Sequence, residues 1–379
     1  MRKTSLPLAT LLLAAALGAA PVSARTFVFV SNADDGDIDG FALDQTTGAL
    51  TSLGKTKAGR SVMPMAVSPD KKFLYAVVRS TPFTVITYAL DPVSGALTQK
   101  AAAPLADSCP YVSTDTTGRW LFTASYGGNK VAVNPIAASG LVEAGPSQVI
   151  PTGICAHCIR PDASNKYVYA TNLGSNQVLQ FRFDAKTGRL TPNDPPLIKA
   201  HPGNGPRHII FSRDQRFAYV IHELTGNIAQ FAINQADGTL QEVSFTASIP
   251  ADSGLQPGLM PPPPGVTPPV DTTPRAWAAD IQITPNGKFI YASERTHSRI
   301  ALLKVAPGTG NLTYVTDYPT ETQPRGLGLD PTGTFLIASG EKSDRLAVYR
   351  IDQATGVITL LNRYPVGKDA NWVQIVDLP

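Results

Sequence analysis

Cysteine is scarce in this 379-residue sequence, and its three copies are too few for a disulfide scaffold. Cys155 and Cys158 lie beside His157, but two thiols and one imidazole are a weak metal signal, so we expect no metal and no other cofactor. In an oxidising compartment one disulfide could form between Cys109 and Cys155, provided that their Cα atoms lie within about 7 Å.

Long hydrophobic runs are missing after the N-terminus, so no membrane-spanning segment is predicted there. The one apolar stretch follows Arg2 and Lys3 and ends at the small residues Val22-Ser23-Ala24. This is the pattern of a secretory signal peptide with its cleavage site. We expect residues 1–24 to be removed and the chain to be exported to a periplasm; a retained N-terminal anchor is the alternative.

Charged residues are sparse, at 16% of the sequence, and no stretch is strongly basic. The formal net charge is +3, and Arg2 and Lys3 would leave with the signal peptide. The exported chain is therefore close to neutral, which argues against nucleic acid and anionic membranes as partners. Hydrophobic residues make up 43% of the sequence, which is enough for a folded core.

What the sequence does contain is a repeat of short apolar runs. Residues 203–224, GNGPRHIIFSRDQRFAYVIHEL, hold two such runs on either side of a polar turn, and their β-branched and aromatic residues predict a β-hairpin. A third strand and usually a fourth follow each hairpin, joined by a D-x-x-T/S-G-x-L turn in which glycine supplies the positive φ. Similar hairpins begin at Met63, Cys109, Cys155, Asp280 and Pro324.

The turns of these hairpins recur at a nearly constant spacing. Four-stranded antiparallel units of this period predict an all-β fold, a seven-bladed β-propeller. Six units are complete; a seventh takes TFVFVSN, IDGFAL and ALTSL from the N-terminus and its first strand, NWVQIV, from the C-terminus. Pairing the two chain ends closes the ring, so residues 25–379 are predicted to form one domain. Aligned at Pro69, Thr116, Pro161, Arg213, Pro285 and Pro331, the turns are 47, 45, 52, 72 and 46 residues apart.

The 72-residue interval contains a proline-rich insertion, residues 250–275, between blades five and six. Its prolines exclude helix and central strand, so we expect an extended loop. The loop either covers the mouth of the ring as a partial lid or is an inert excursion.

Polar residues concentrate where each first strand begins and each second strand ends. These two points lie at the same end of every blade, because the two strands are antiparallel neighbours. In one isolated hairpin, charged residues at these two points would be interpreted as an ion pair at the end of the hairpin. A ring of arginines around a carboxylate and imidazoles instead suits a pocket for an anionic or polyhydroxylated small ligand. The column before the first strand holds Met63, Pro110, Cys155, Arg207, Ala279 (with Asp280 next) and Arg325, and the column after the second holds Arg79, Tyr126, Leu173, Glu223, Arg295 and Gly340.

Three segments make a family resemblance visible: GNGPRHIIFSRDQRFAYVIHEL, RAWAADIQITPNGKFIYASERTHS and TETQPRGLGLDPTGTFLIASGEKSDRLAVYRIDQATG. They closely resemble the seven-bladed propeller lactonases, which include bacterial 6-phosphogluconolactonases and fungal 3-carboxymuconate lactonizing enzymes. The resemblance extends over essentially the whole chain after the signal peptide. It implies a site at Arg207, Glu223 and Arg295, with Asp280 and Arg325 as further site residues.

The sequence departs from that family in three respects. The family's histidine before the first strand of blade four falls on Cys155 in the alignment above, and His157 lies two residues further on. The family's N-E-L reads H-E-L, which adds His222. A signal peptide is unexpected for an enzyme of a phosphorylated, cytoplasmic lactone, so the substrate could be another lactone, such as a free aldonolactone.

Lactone hydrolysis needs an activated water and a stabilised oxyanion. We expect Glu223 to act as general base with the help of His157, and Arg207 to neutralise the oxyanion or hold a carboxylate of the substrate. The other candidates are assigned to binding of a small-molecule lactone, and no particular protein partner is indicated. Two alternatives are an exported propeller that only binds a ligand or protein, and a cycloisomerase that forms a lactone. The binding candidates are Tyr126, Cys155, His208, His222, Asp280, Arg295 and Arg325.

Overall fold

The computed structural model describes Met1 and residues 25–260, 262, 266–267 and 270–378. The predicted signal peptide, residues 1–24, lies outside the described residues apart from Met1. Regular structure in the described part of the chain is all β-strand, and no helix there is long and apolar enough to cross a membrane.

The strands form seven antiparallel sheets of four. In chain order they are β1 (Arg25–Asn32), β2 (Asp37–Leu43), β3 (Leu50–Lys57), β4 (Val62–Val67), β5 (Phe73–Val78), β6 (Thr84–Leu90), β7 (Leu97–Pro104), β8 (Tyr111–Thr114), β9 (Trp120–Ser125), β10 (Lys130–Pro135), β11 (Gln148–Pro151), β12 (Ala156–Pro161), β13 (Tyr167–Asn172), β14 (Gln177–Asp184), β15 (Arg189–Lys199), β16 (Pro206–Phe211), β17 (Phe217–His222), β18 (Asn227–Ile233), β19 (Leu240–Ala247), β20 (Ala278–Ile283), β21 (Phe289–Glu294), β22 (Arg299–Val305), β23 (Leu312–Pro319), β24 (Pro324–Leu329), β25 (Phe335–Gly340), β26 (Arg345–Ile351), β27 (Ile358–Pro365) and β28 (Ala370–Leu378).

The predicted seven-bladed propeller is confirmed, including its closure by the two chain ends. Blade 1 contains β28, β1, β2 and β3 in spatial order, and blades 2 to 7 each take the next four strands of the chain. The C-terminal β28 pairs antiparallel with β1, with Val28 opposite Ile375 and Val30 opposite Val373. The last strand of the chain therefore supplies the first strand of blade 1.

The blades are held together by apolar contacts between neighbouring sheets. In one such cluster, Ile221 and Ile228 of blade 5 pack with Ala292 and Leu303 of blade 6. Hydrogen bonds along the channel add to this, because side chains of first strands donate to backbone carbonyls of the next blade. Arg160, for example, donates from Nη1 to the carbonyl of Ile209 at 3.3 Å.

A glycine in the turn between the third and fourth strands recurs in every blade, as the sequence predicted. Each has a positive φ, and a Cβ added to it would lie within 2.7 Å of an aromatic ring at the start of the second strand of the preceding blade. The glycine therefore serves blade packing as well as the turn. The seven pairs are Gly48–Phe335, Gly95–Phe27, Gly140–Phe73, Gly188–Trp120, Gly238–Tyr167, Gly310–Phe217 and Gly356–Phe289.

Blade 6 offers a matched pair of glycines to separate these two roles. Gly308 and Gly310 lie in one turn with φ values of 79° and 69°, but a Cβ on Gly308 would meet nothing within 4 Å, whereas one on Gly310 would lie 2.7 Å from Phe217. Gly308→Ala is expected to cost about 1–2 kcal/mol through its left-handed backbone. Gly310→Ala is expected to cost a further ~1–3 kcal/mol through overpacking. Denaturant unfolding of both variants measures the difference, and equal losses would contradict the packing role.

Candidate functional site

Several side chains at the mouth of the ring belong to a β-bulge at the start of the first strand. In blade 5, pairing with the second strand is interrupted after Pro206 and resumes at His208, so Arg207 lies in the bulge. The same interruption leaves His157 in the bulge of blade 4 and Arg325 in that of blade 7. A bulge changes the direction of a side chain relative to the ordinary alternation of a strand. His157, Arg207 and Arg325 therefore occupy equivalent positions around the mouth.

The structure corrects the sequence alignment in blade 4. The turn between β12 and β13 makes Ala163, rather than Pro161, equivalent to Arg213 in the turn of blade 5. The spacing between the turns of blades 3 and 4 is therefore two residues longer than in the sequence alignment. Counted back from Ala163, the column before the first strand contains His157 and not Cys155.

Blade 7 needs a correction of one residue. Its second strand, β25, ends at Gly340, so the residue that follows the strand is Glu341. Glu341 is thereby equivalent to Glu223 after β17 and Arg295 after β21. The sequence alignment placed Gly340 in this column and missed the second carboxylate of the mouth.

Five of these residues form a chain of ion pairs, here called the mouth cluster: Arg207, Glu223, Arg295, Glu341 and Arg325. Oε2 of Glu223 accepts hydrogen bonds from Arg207 Nε at 2.7 Å and lies 3.0 Å from Arg295 Nη2. Glu341 lies 2.9 Å from Arg325 and 3.9 Å from Arg295. The side chains of Arg207 and Arg295 are 1% and 2% exposed, and that of Glu223 is 12% exposed.

The charges of the mouth cluster shift one another's pKa values. Burial alone would raise the pKa of Glu223, but Arg295 and Arg207 outweigh it and hold that pKa below its ordinary value. Burial lowers the pKa of Arg295 to about 9, against the opposing effect of Glu223. Glu223 is therefore ionised and Arg295 protonated at neutral pH.

His208 and Asp280 lie behind Arg207 and not beside it at the mouth. His208 Nε2 is 3.0 Å from Arg207 Nη1, and its Nδ1 is 2.9 Å from Asp280 Oδ1. Burial and the nearby Arg207 lower the pKa of His208 to about 4, so the ring is neutral, donates from Nδ1 to Asp280 and accepts from Arg207 at Nε2. Both residues line a channel cavity of about 600 Å³ that extends to the opposite end of the ring, and neither Arg207 nor Glu223 lines it. His208 thus contacts Arg207, and Asp280 contacts His208. Their contact with substrate stays a prediction.

His157 lies between the mouth cluster and Tyr126. Its ring is centred 5.2 Å from that of His208 and 5.9 Å from that of Tyr126. Its Nδ1 is buried and has no hydrogen-bond partner among the described residues. Burial and Arg207 lower the pKa of His157 well below its ordinary value, so the imidazole is neutral.

Tyr126 and Cys155 meet beside His157. Burial and the charge of Glu223 raise the pKa of Tyr126, and burial raises that of the Cys155 thiol. All three cysteines are free, so the Cys109–Cys155 disulfide is not formed. Within the part of the chain that the structure describes, no group of three or more His, Cys, Asp or Glu side chains is placed to hold a metal ion.

His222 does not join the mouth cluster. Its Nδ1 lies 3.1 Å from the carbonyl of Asn227, and its ring is centred 5.4 Å from Phe245 of the outermost strand. As the last residue of β17 it alternates in direction with Glu223, so it faces the inside of the blade. The sequence grouped the two because they are adjacent, and the structure separates them.

Trp277 belongs to the site although the columns did not include it. Its indole lies over the guanidinium of Arg295 at 3.7 Å, and its Nε1 donates to Glu223 Oε1 at 3.3 Å. Trp277 is 38% exposed, so part of the indole faces solvent at the mouth. It immediately precedes β20, and its carbonyl accepts the N–H of Arg295, the residue after the second strand. The same backbone bond is made in blades 2, 4, 5 and 7 by Ser61, Cys155, Gly205 and Gln323. The W of RAWAAD, next to a predicted first strand, was the available signal.

The described base of the proline-rich insertion borders the mouth. Gly258 donates from its backbone N–H to the carbonyl of Leu224, at 2.6 Å, and Ala276 donates to Gln256 at 2.8 Å. These bonds fasten both ends of the insertion beside Glu223 and place Trp277 over the mouth cluster. The described ends of the insertion thus lie next to the mouth, and whether the insertion covers it as a lid stays a prediction.

Comparison with known proteins agrees with this fold. The family model described as "Lactonase, 7-bladed beta-propeller" matches residues 27–375. A 6-phosphogluconolactonase of Serratia proteamaculans is 37% identical over 307 residues, which are 81% of this chain and 85% of that protein. One from Yersinia pestis is 37% identical over 303 residues, 80% of this chain and 84% of that protein. Among solved structures, the periplasmic gluconolactonase of Pseudomonas aeruginosa is 25% identical, with a TM-score of 0.81 over 94% of this chain and 100% of that one.

Proposed function

The chain belongs to the family of seven-bladed β-propeller lactonases, and from that premise we propose that it hydrolyses a sugar-type lactone at the mouth cluster. The observation that carries the proposal is Glu223, an ionised carboxylate held between two buried arginines. Ester hydrolysis needs a proton acceptor for water and cations near the developing oxyanion. The mouth cluster supplies both within one group of contacts.

In the proposed reaction, Glu223 accepts a proton from a water molecule through Oε1. Among the described residues this oxygen has only the 3.3 Å bond from Trp277, whereas Oε2 contacts both arginines. The water oxygen attacks the lactone carbonyl, and the guanidinium groups of Arg207 and Arg295 stabilise the oxyanion. When the tetrahedral intermediate collapses, the ring C–O bond breaks and the leaving alkoxide takes the proton back from Glu223. The product is a hydroxy acid, whose carboxylic acid group then releases its proton to solvent.

Residues near Glu223 support the proposed hydrolysis by holding Arg207 in position. Asp280 orients His208, and His208 accepts a hydrogen bond from Arg207, so the pair positions the guanidinium rather than touching substrate. The neutral His157 offers a second proton acceptor close to the cluster. The exposed part of Trp277 suits contact with the apolar face of a sugar ring.

We propose that the lactone is an aldonolactone and that the enzyme acts after export. The apolar N-terminal segment with its small-residue cleavage site supports export. The periplasmic gluconolactonase that shares the fold supports a free aldonolactone, and the relatives named 6-phosphogluconolactonase support a phosphorylated one.

Hydrolysis assays on the purified chain without residues 1–24 test the proposed function. The substrates are gluconolactone, 6-phosphogluconolactone and a carboxylated muconolactone, each compared with its spontaneous rate. We expect saturable hydrolysis of at least one. Lactone formation from the open acid would indicate a cycloisomerase, and saturable binding without turnover of any substrate would indicate a binding propeller.

A further inference from the structure

Arg79 is the arginine of the mouth that has no carboxylate partner. It follows the second strand of blade 2, the position that holds Glu223 in blade 5 and Arg295 in blade 6. Arg207, Arg295 and Arg325 each lie within 4 Å of a glutamate oxygen. Within the described residues, no Asp or Glu oxygen lies within that distance of Arg79.

The contacts of Arg79 leave most of its hydrogen-bonding capacity unused. Its Nε donates to Ser108 Oγ at 3.0 Å, and its Nη1 lies 2.8 Å from the thioether sulfur of Met63. A guanidinium has five N–H donors, and a thioether is a weak acceptor. The side chain is therefore held in place by blades 2 and 3 with donors left over for a ligand.

The surroundings of Arg79 disfavour its positive charge. Burial, followed by repulsion from Arg325, lowers its pKa to about 10, and the attraction of Asp369 does not compensate. A bound anion would remove this cost and would accept the unused N–H groups in a bidentate manner. Asp369 is a poor counter-charge for Arg79, because burial and the negative charge of Glu341 raise the pKa of its carboxyl group.

We propose that Arg79 binds an anionic substituent of the lactone, a phosphate or a carboxylate. This inference rests on the proposed function, because it assigns a further part of the same mouth. Blades 2 and 5 lie on roughly opposite sides of a seven-bladed ring, so an anion at Arg79 lies across the mouth from Glu223. The substituent is thus one that is distant from the reacting carbonyl of the lactone.

The test is Arg79→Gln, assayed with two lactones that differ only in a phosphate, 6-phosphogluconolactone and gluconolactone. Losing a charged hydrogen-bonding partner is expected to lower kcat/KM for the phosphorylated lactone by about 10- to 100-fold, mainly through KM. The neutral lactone is expected to change by less than about 3-fold. The matched control is Arg213→Gln, an exposed arginine at the opposite end of the ring, which should change neither value. Equal losses on both lactones, or no loss on either, would overturn the assignment.

A binding measurement keeps this test separate from the proposed function. Calorimetric titration of the unmodified protein and of Arg79→Gln with inorganic phosphate and with succinate needs no turnover and distinguishes the two anions. Binding that weakens at least about 10-fold in the variant supports the subsite even if no lactone is hydrolysed. If no lactone is hydrolysed and neither anion binds the unmodified protein, the inference is wrong.

Discussion

Replacing Glu223 by glutamine is expected to reduce kcat for lactone hydrolysis by about 10²- to 10⁴-fold, the usual contribution of a general base. The amide has the shape of the carboxylate but cannot accept the proton of water. It also leaves Arg207 and Arg295 without their shared counter-charge, since both lie within 3.0 Å of Glu223 Oε2. KM should change less than kcat, because the effect lies on the chemical step.

A second glutamate–arginine pair, in which the glutamate is buried and the arginine is exposed, provides the control for this substitution. Glu321 is buried and lies 2.8 Å from Arg363 of the outermost strand of blade 7, outside the mouth cluster. Glu321→Gln makes the same chemical change and is expected to alter stability but not kcat. If Glu223→Gln kept full activity, or if both variants lost activity equally, Glu223 would not be the base.

The pH dependence of hydrolysis follows from the pKa of Glu223. A general base must be deprotonated, and Arg295 and Arg207 hold this pKa below its ordinary value of 4.5 despite burial. The active form is therefore complete at neutral pH and is lost only as pH falls through the lowered pKa. We expect kcat to be flat from about pH 7 to pH 5, a range in which an unperturbed histidine would titrate.

The fold could be predicted from the sequence because each blade repeats the same short apolar strands, the same turns and the same turn glycine. The columns of that repeat also located Arg207, Glu223 and Arg295, because antiparallel pairing fixes which strand ends meet. What failed was the counting of positions within blades 4 and 7. The alignment placed Cys155 where the bulge holds His157, and Gly340 where the strand end exposes Glu341.

Side-chain direction was the second limit of the sequence. A bulge interrupts the two-residue alternation, so Arg207 and His208 could not be assigned to opposite sides of the mouth by counting. His208 and Asp280 were therefore predicted to bind substrate, and counting could not show that His208 contacts Arg207 from the channel side or that Asp280 contacts His208. Trp277 lies two residues before Ala279 of the first column, so neither of the two columns included it.

Arg207→Lys is expected to be among the most damaging single changes in the chain even though it keeps the charge. Arg207 donates to Glu223 through Nε and to the carbonyl of Ala279 through Nη1, which also lies 3.0 Å from His208. A lysine ammonium cannot reach these three partners from one position, because it lacks the planar fork of a guanidinium. Glu223 keeps Arg295 as a partner, but each buried acceptor that loses its donor, such as the Ala279 carbonyl, should cost about 1–3 kcal/mol of stability.

Arg216→Lys is the matched control, because Arg216 makes its ion pair with Asp214 where both side chains are 50% exposed. An exposed pair of this kind contributes about 0–1 kcal/mol, so this variant should unfold almost as the unmodified protein does. Denaturant unfolding compares the two variants. Steady-state kinetics at a temperature where Arg207→Lys is fully folded should show kcat/KM lowered by about 10²-fold or more, since the oxyanion loses an aligned donor. A folded Arg207→Lys protein with normal kcat/KM would show that the charge at this position matters and the fork geometry does not.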